Sequence, residues 1–366
     1  MSRLNRFVAG IRVLDLTRHL PGPLATLLLA DMGAEILKIE GPAGDEIKSL
    51  GPQDAAGRSL YYEAISAGKR TLALDLKAPA DRERFLALVD TADILIESFR
   101  PDVMPRLGLA SDTLRARNPR LIYASLSGYG RDGPLAAAAG HDANYLAYAG
   151  ALAGNGTVRE SSLFYPPIAD CLGSLFGLAT ILGALYARER DGRGCDIDIA
   201  LADVIMPLQV FSLAELGATG KQPSRAADLL NGGWACYRIY GTRDGREMAL
   251  GAVEPKFWRA FCERASRPDW ISRQGDDPLP QHELIREVAT FFAAITLAEC
   301  VERFATADCC LAPLLDLREA IAHPHHATRG LVTRAEQLDI FETAFPAIVD
   351  GERPRRRSPR EPWRET

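Results

Sequence analysis

Two textures divide the chain. Over roughly the first 130 residues, short apolar runs alternate with stretches of helical period, the pattern of crossover units around a mostly parallel sheet. Residues 11–16 read as a strand. Pro21-Gly22-Pro23 then opens a helix through Ala30 and Gly33 stops it, because proline suits a first helical turn and glycine the left-handed exit. Residues 35–39, 71–76, 94–97 and 121–125 follow as strands, with a helix over 81–89. Residues 171–187 form one long apolar helix, and 196–200 begin a further strand and helix pair. After Gln209 the texture changes: 211–224, and the small polar residues on to Gly233, read as a linker. Beyond it, runs at 236–240 and 248–253 flank Asp244-Gly245, a dipeptide that tolerates the positive φ of a hairpin turn. Helices near 256–263 and 282–295, a strand at 310–314 and a helix at 317–322 complete a smaller domain over 225–320. The expected fold is therefore α/β: a large doubly wound, Rossmann-like domain over 1–210 with a C-terminal return over 321–366, plus a smaller α+β domain. The tail 353–360, with five arginines and no apolar period, reads as mobile or draped on a partner.

Composition narrows the class. The chain has 366 residues, 47% of them hydrophobic and 25% charged, and a formal net charge of -5, which argues against a general nucleic-acid binder. Any anionic ligand must meet local cations. Seven cysteines without a CxxC pair read as reduced thiols of a cytosolic protein. The first ten residues lack the apolar core of a signal peptide, so a cytoplasmic location is expected. The uncharged run between Asp170 and Arg188 barely reaches the roughly 17 residues of a membrane span, and Gly173, Ser174, Gly177 and Gly183 within it suggest close packing instead. No membrane association is expected.

Gly128-Tyr129-Gly130-Arg131-Asp132-Gly133 has the GxGxxG spacing, but Pro134 and an alanine run stand where a dinucleotide-binding helix must start, so it reads as a glycine-rich turn. Gly68-Lys69-Arg70 lacks the rest of a phosphate-binding loop. No metal set stands out, and five of the six histidines lie away from any carboxylate or cysteine at ligand spacing. His141, Asp170 and Glu254 remain. Singly, each has an ordinary structural explanation: a core histidine, a helix cap, a loop glutamate. Asp170 is the most informative, because Pro166-Pro167-Ile168-Ala169-Asp170 puts a carboxylate at the start of an apolar helix, beside backbone N–H groups that could hold a developing oxyanion.

Several segments in order decide more than any single residue. They include Asp15-Leu16-Thr17 with Pro21-Gly22-Pro23, Lys69-Arg70-Thr71-Leu72-Ala73-Leu74-Asp75-Leu76-Lys77, Asn118-Pro119-Arg120-Leu121-Ile122-Tyr123, Gly140-His141-Asp142, Leu230-Asn231-Gly232-Gly233 and Gly251-Ala252-Val253-Glu254-Pro255. Through them the chain resembles the CoA-transferase family III superfamily over almost its whole length, and within it is similar to the α-methylacyl-CoA racemases. In the transferases the aspartate matching Asp170 is a nucleophile that carries acyl and CoA intermediates, and an aromatic residue stands at the position of His141. The racemases carry Gly-His-Asp there and a glutamate at the position of Glu254, as this chain does.

The resemblance thus implies an isomerase inverting the α-carbon of 2-methylacyl-CoA thioesters, with His141 and Asp170 as the acid/base pair on opposite faces and Glu254 fixing the imidazole tautomer. An imidazole, with an ordinary pKa of about 6.5, can act as either acid or base near neutrality. The alternative is a CoA-transferase working through Asp170. For CoA, Lys38, Lys77 and Arg100 follow strands, where an open sheet places its ligand crevice. By resemblance, Leu74, Asp75, Leu76 and Lys77 line the adenine and phosphate end, and Gly140, Asp142, Ala143, Asn144 and Tyr145 the pantetheine end. The resemblance also implies an interlocked homodimer and no added cofactor or metal, CoA being part of the substrate.

Overall fold

The computed structural model describes residues 2–276, 278–335 and 338–363. The last three residues of the expected C-terminal return lie outside that range. The strands run β1 (Arg12–Leu16), β2 (Glu35–Glu40), β3 (Arg70–Ala73), β4 (Ile94–Glu97), β5 (Ile122–Ser127), β6 (Asp196–Ala200), β7 (Tyr237–Gly241), β8 (Glu247–Gly251), β9 (Leu311–Pro313), β10 (Val332–Arg334), β11 (Phe341–Thr343) and β12 (Glu361–Pro362). They fall into two compact units.

The first unit comprises 1–149, 164–208 and 324–366 and is built on a seven-stranded parallel sheet of order β12-β3-β2-β1-β4-β5-β6. Every residue of β4 and β5 is buried, as expected of central strands covered on both faces. On one face the Pro21–Asp31 and Ile168–Asp191 helices pack over Val13, Ile36, Ile94, Ile96, Ile122 and Ala124. On the other, Phe85, Val89, Leu109 and Leu114 cover Leu14, Leu37 and Leu95. The long helix has the length and apolar composition of a membrane span, yet its inner face is packed within this unit. A Cβ on Gly173 would come within 2.1 Å of Leu201, and Ser174 Oγ donates to Pro21 O at 2.6 Å.

From β3 to β6 the order is that of doubly wound nucleotide-binding sheets, with the winding direction reversing between β1 and β4. The loops leaving those two strands, 17–20 and 98–100, therefore flank the crevice where such sheets hold ligands. β3 is shorter than the 71–76 expected, because the chain turns at Asp75, whose N–H donates to Asp81 Oδ2 at 2.8 Å as the Pro79–Val89 helix begins.

The arginine-rich tail departs from its reading as a mobile or partner-draped segment. Arg357 makes a bidentate pair with Asp31 at 2.8 and 2.7 Å, Arg360 donates to Glu63 and Thr71, both at 3.1 Å, and β12 adds to the edge of β3.

The second unit comprises 150–163 and 209–323. Its antiparallel sheet runs β7-β8-β9, with Gly245 at φ +74° in the hairpin turn, over a core that includes Trp258, Phe261, Trp270 and Phe292. The supposed linker 211–224 is largely the Val210–Thr219 helix. Residues 150–163 join this unit from within the 1–210 range, and Leu297–Phe304 forms a helix the periodicity did not suggest, started by a Thr296/Glu299 capping box. All seven cysteines are free, Cys310 being exposed.

Candidate active site

The long helix starts directly after two prolines, and Pro167 at its N-cap has no side-chain acceptor to offer the first N–H groups. Asp142 supplies one from a distance. Its Oδ1 accepts from the N–H groups of Ala169, at 2.7 Å, and Asp170, at 3.2 Å. The Asp170 amide, which the sequence reading offered to an oxyanion, is thereby engaged by a carboxylate. Asp142 itself opens the short Asp142–Tyr148 helix, with His141 at the N-cap in extended backbone and its N–H donating to Asn144 Oδ1 at 3.0 Å. Gly140 has no room for a side chain: a Cβ would lie 2.7 Å from Tyr129 Oη and 2.8 Å from the Tyr145 ring. Tyr145 donates to Gly140 O at 2.5 Å and closes the turn. One capping contact thus brings Gly140, His141 and Asp142 to the start of the helix that carries Asp170.

This packing retunes the carboxyl. Burial, and after it the Asp142 carboxylate, push Asp170 up to about 7, far above the ordinary carboxylate range. Burial and then Asp170 push the Tyr145 hydroxyl up to about 12. Asp170 can therefore hold or release a proton near neutral pH, while His141, next in sequence to Asp142, is exposed.

A neighbour that sequence spacing gave no sign of touches His141. The His19 ring stands edge-on to it, with centroids 6.1 Å apart and planes at 89°. His19 Nε2 lies 3.0 Å from Glu46 Oε2, an acidic partner that spacing along the sequence does not reveal. Its φ is +63°, left-handed, which costs a non-glycine residue about 1–2 kcal/mol. An exposed pair such as His19–Glu46 contributes less than about 1 kcal/mol, so the pair does not offset that cost.

The other expected residues divide. Lys38 is only 1% exposed and its ammonium points inward, donating to Thr17 O at 2.7 Å and pairing with Asp45 at 3.0 Å, so the structure turns it from phosphate contact to internal brace. Beneath it, Asp15 and Lys69 are fully buried, Lys69 donating to Pro23 O and Thr26 Oγ1 at 2.8 and 2.7 Å. Leu74 is buried, Asp75 and Leu76 half-buried, and Asp75 Oδ1 accepts from the Lys77 N–H at 3.1 Å. Lys77 and Arg100 are exposed just after β3 and β4. Ala143 and Asn144 lie in the first turn of the Asp142–Tyr148 helix. Glu254 belongs to the second unit, exposed at the N-cap of the Pro255–Arg264 helix, with its charge among the causes that, after burial, raise the Cys310 thiol. That unit also holds a largely apolar pocket of about 940 Å3 over one face of β7–β9, lined by Tyr237, Ile239, Ala249, Gly251, Cys310 and Ala312 among others. Among the described residues, no group of three or more His, Cys, Asp or Glu could hold a metal ion.

A sequence model of the family described as CoA-transferase family III matches residues 8–364. The chain belongs to that family. This family III protein is 34% identical over 349 residues to the alpha-methylacyl-CoA racemase of Homo sapiens, covering 93% of this chain and 86% of that one. It is 32% identical over 338 residues to the acetyl-CoA:oxalate CoA-transferase of Acetobacter aceti, covering 89% and 85%. A CAIB/BAIF family protein from Brucella suis, 24% identical, superposes with a TM-score of 0.83 over 96% of each chain, a likeness of fold. Both a racemase and a CoA-transferase are therefore similar to it.

Proposed function

We propose that this family III protein is a racemase of 2-methylacyl-CoA thioesters, working by two-base proton transfer without an added cofactor. The observation that carries this reading is the pairing of Asp170, its carboxyl near 7, with a histidine at position 141. An acid/base works best with a pKa near the operating pH, whereas a carboxylate nucleophile works best when fully ionised. A thioester acidifies its α-hydrogen because the enolate is delocalised. His141 removes that proton from one epimer while Asp170, protonated, delivers to the opposite face. In the reverse direction the roles exchange. Glu254 is assigned the orientation of the imidazole, and Lys77 and Arg100 the CoA phosphates. The protein acts as a homodimer, which light scattering tests, and in the cytoplasm.

Incubation with each epimer of a 2-methylacyl-CoA in deuterated water tests the chemistry. Deuterium enters the α-position during inversion. In His141→Ala, inversion is lost in both directions, but exchange without inversion survives for the epimer that Asp170 serves. Equal loss of exchange from both epimers denies the two-base assignment. No label at all, together with a hydroxylamine-sensitive CoA thioester trapped on Asp170, makes the protein a transferase.

A further inference from the structure

The His19–Glu46 pair stands at a place in the fold that suggests a use for it. His19 sits on the loop leaving β1, at the edge where the winding of the sheet reverses and ligands bind. The backbone beside its partner is anchored. Glu46 starts a short turn, Glu46–Ser49, whose first residues are tied by Asp45 Oδ1 accepting from Ile47 N–H at 3.2 Å, while the other oxygen of Asp45 lies 3.0 Å from the buried Lys38 ammonium. Arg18 Nη1 lies 3.9 Å from Glu46 Oε1, on the carboxylate oxygen that His19 leaves open. A chain of contacts thus runs from a buried cation through Asp45 and Glu46 to the His19 ring, and ends edge-on against His141.

We propose that His19 is a positioning residue for His141: held by Glu46, its ring fixes the angle at which the exposed His141 imidazole meets the α-carbon. The inference rests on the proton-shuttle reading of His141. An exposed side chain samples several rotamers, and a reacting group held about 1 Å out of place loses rate steeply. The left-handed φ of His19 is part of the geometry that sets its ring edge-on to His141.

His19→Asn isolates the ring from the backbone, since asparagine tolerates the left-handed region. Exchange of the α-proton for deuterium without inversion is measured for each epimer separately, on the full chain. The expected result is a loss of about tenfold or more for the epimer whose proton His141 removes, against less than about twofold for the epimer served by Asp170. The second rate is an internal control for folding, and Glu46→Ala, which removes the acceptor of His19 Nε2, reproduces the same one-sided loss. Unchanged exchange, or parallel loss from both epimers, overturns the proposal. His141→Ala run alongside separates two failures. If it too leaves exchange unaltered, the proton-shuttle reading falls and this inference with it; if it is one-sided while His19→Asn is not, this inference alone falls.

Discussion

Asp142 does two things with one carboxylate: it accepts the first N–H groups of the long helix and it raises Asp170. Asparagine separates them, because its carbonyl oxygen still accepts while the charge is gone. In Asp142→Asn the Asp170 carboxyl therefore falls from about 7, although burial, the larger cause, keeps it above the ordinary range. The corresponding limb of the pH–rate profile for exchange moves to lower pH. A limb that stays in place would mean another group sets it. Asp170 was legible in the sequence because prolines followed by a carboxylate and an apolar run mark a helix start. Its tuning was not, since the Asp142 carboxylate that adds to burial lies 28 positions away. Lys38 misled for a related reason: a lysine at the end of a strand reads the same whether it faces a ligand crevice or, as here, Asp45.

Among the elements, those with a hydrophobic period were the readable ones. The predicted Leu317–Ala322 helix and β4 occur with the same bounds, and the hairpin of β7 and β8 forms around Asp244-Gly245. The C-terminal tail escaped because ion pairs and a sheet edge hold it, and neither leaves a periodic trace. Asp31 and Arg357 have side chains only 4% and 10% exposed, and removing one partner of such a pair strands the other charge. Arg357→Ala is therefore expected to destabilise the first unit by about 3 kcal/mol, read as a lowered denaturation midpoint in calorimetry or urea titration. A midpoint shifted no more than for an exposed arginine would show that the tail does not bear on this unit.

For the molecule as a whole, alternating strands and helices were enough to imply the doubly wound sheet, since crossovers are right-handed and short. The 150–163 excursion into the second unit carried no such signal. Nor did the polar centre of the first unit. There, burial pushes the Asp15 carboxyl up, but Lys69 and then Lys38, with hydrogen bonds from Thr17 and Thr26, outweigh it and hold Asp15 at about 2, below its ordinary 3.8. A carboxyl lowered on folding stabilises above its unfolded value and loses that contribution as pH falls through the folded one, here between about 4 and 2 and worth about 2 kcal/mol. Lys69→Met raises the folded value, so acid unfolding followed by circular dichroism begins at higher pH; an unmoved midpoint would show that Lys38 alone suffices. The strap from Asp142 to the long helix has a consequence in time. His141 and Asp170, the acid and base proposed above, come from segments that meet only once that helix has docked, so on that proposal a refolding chain with its early strands paired still lacks the pair. Recovery of α-proton exchange during refolding therefore cannot precede the docking of that helix, a step that bulk secondary-structure signals pass over.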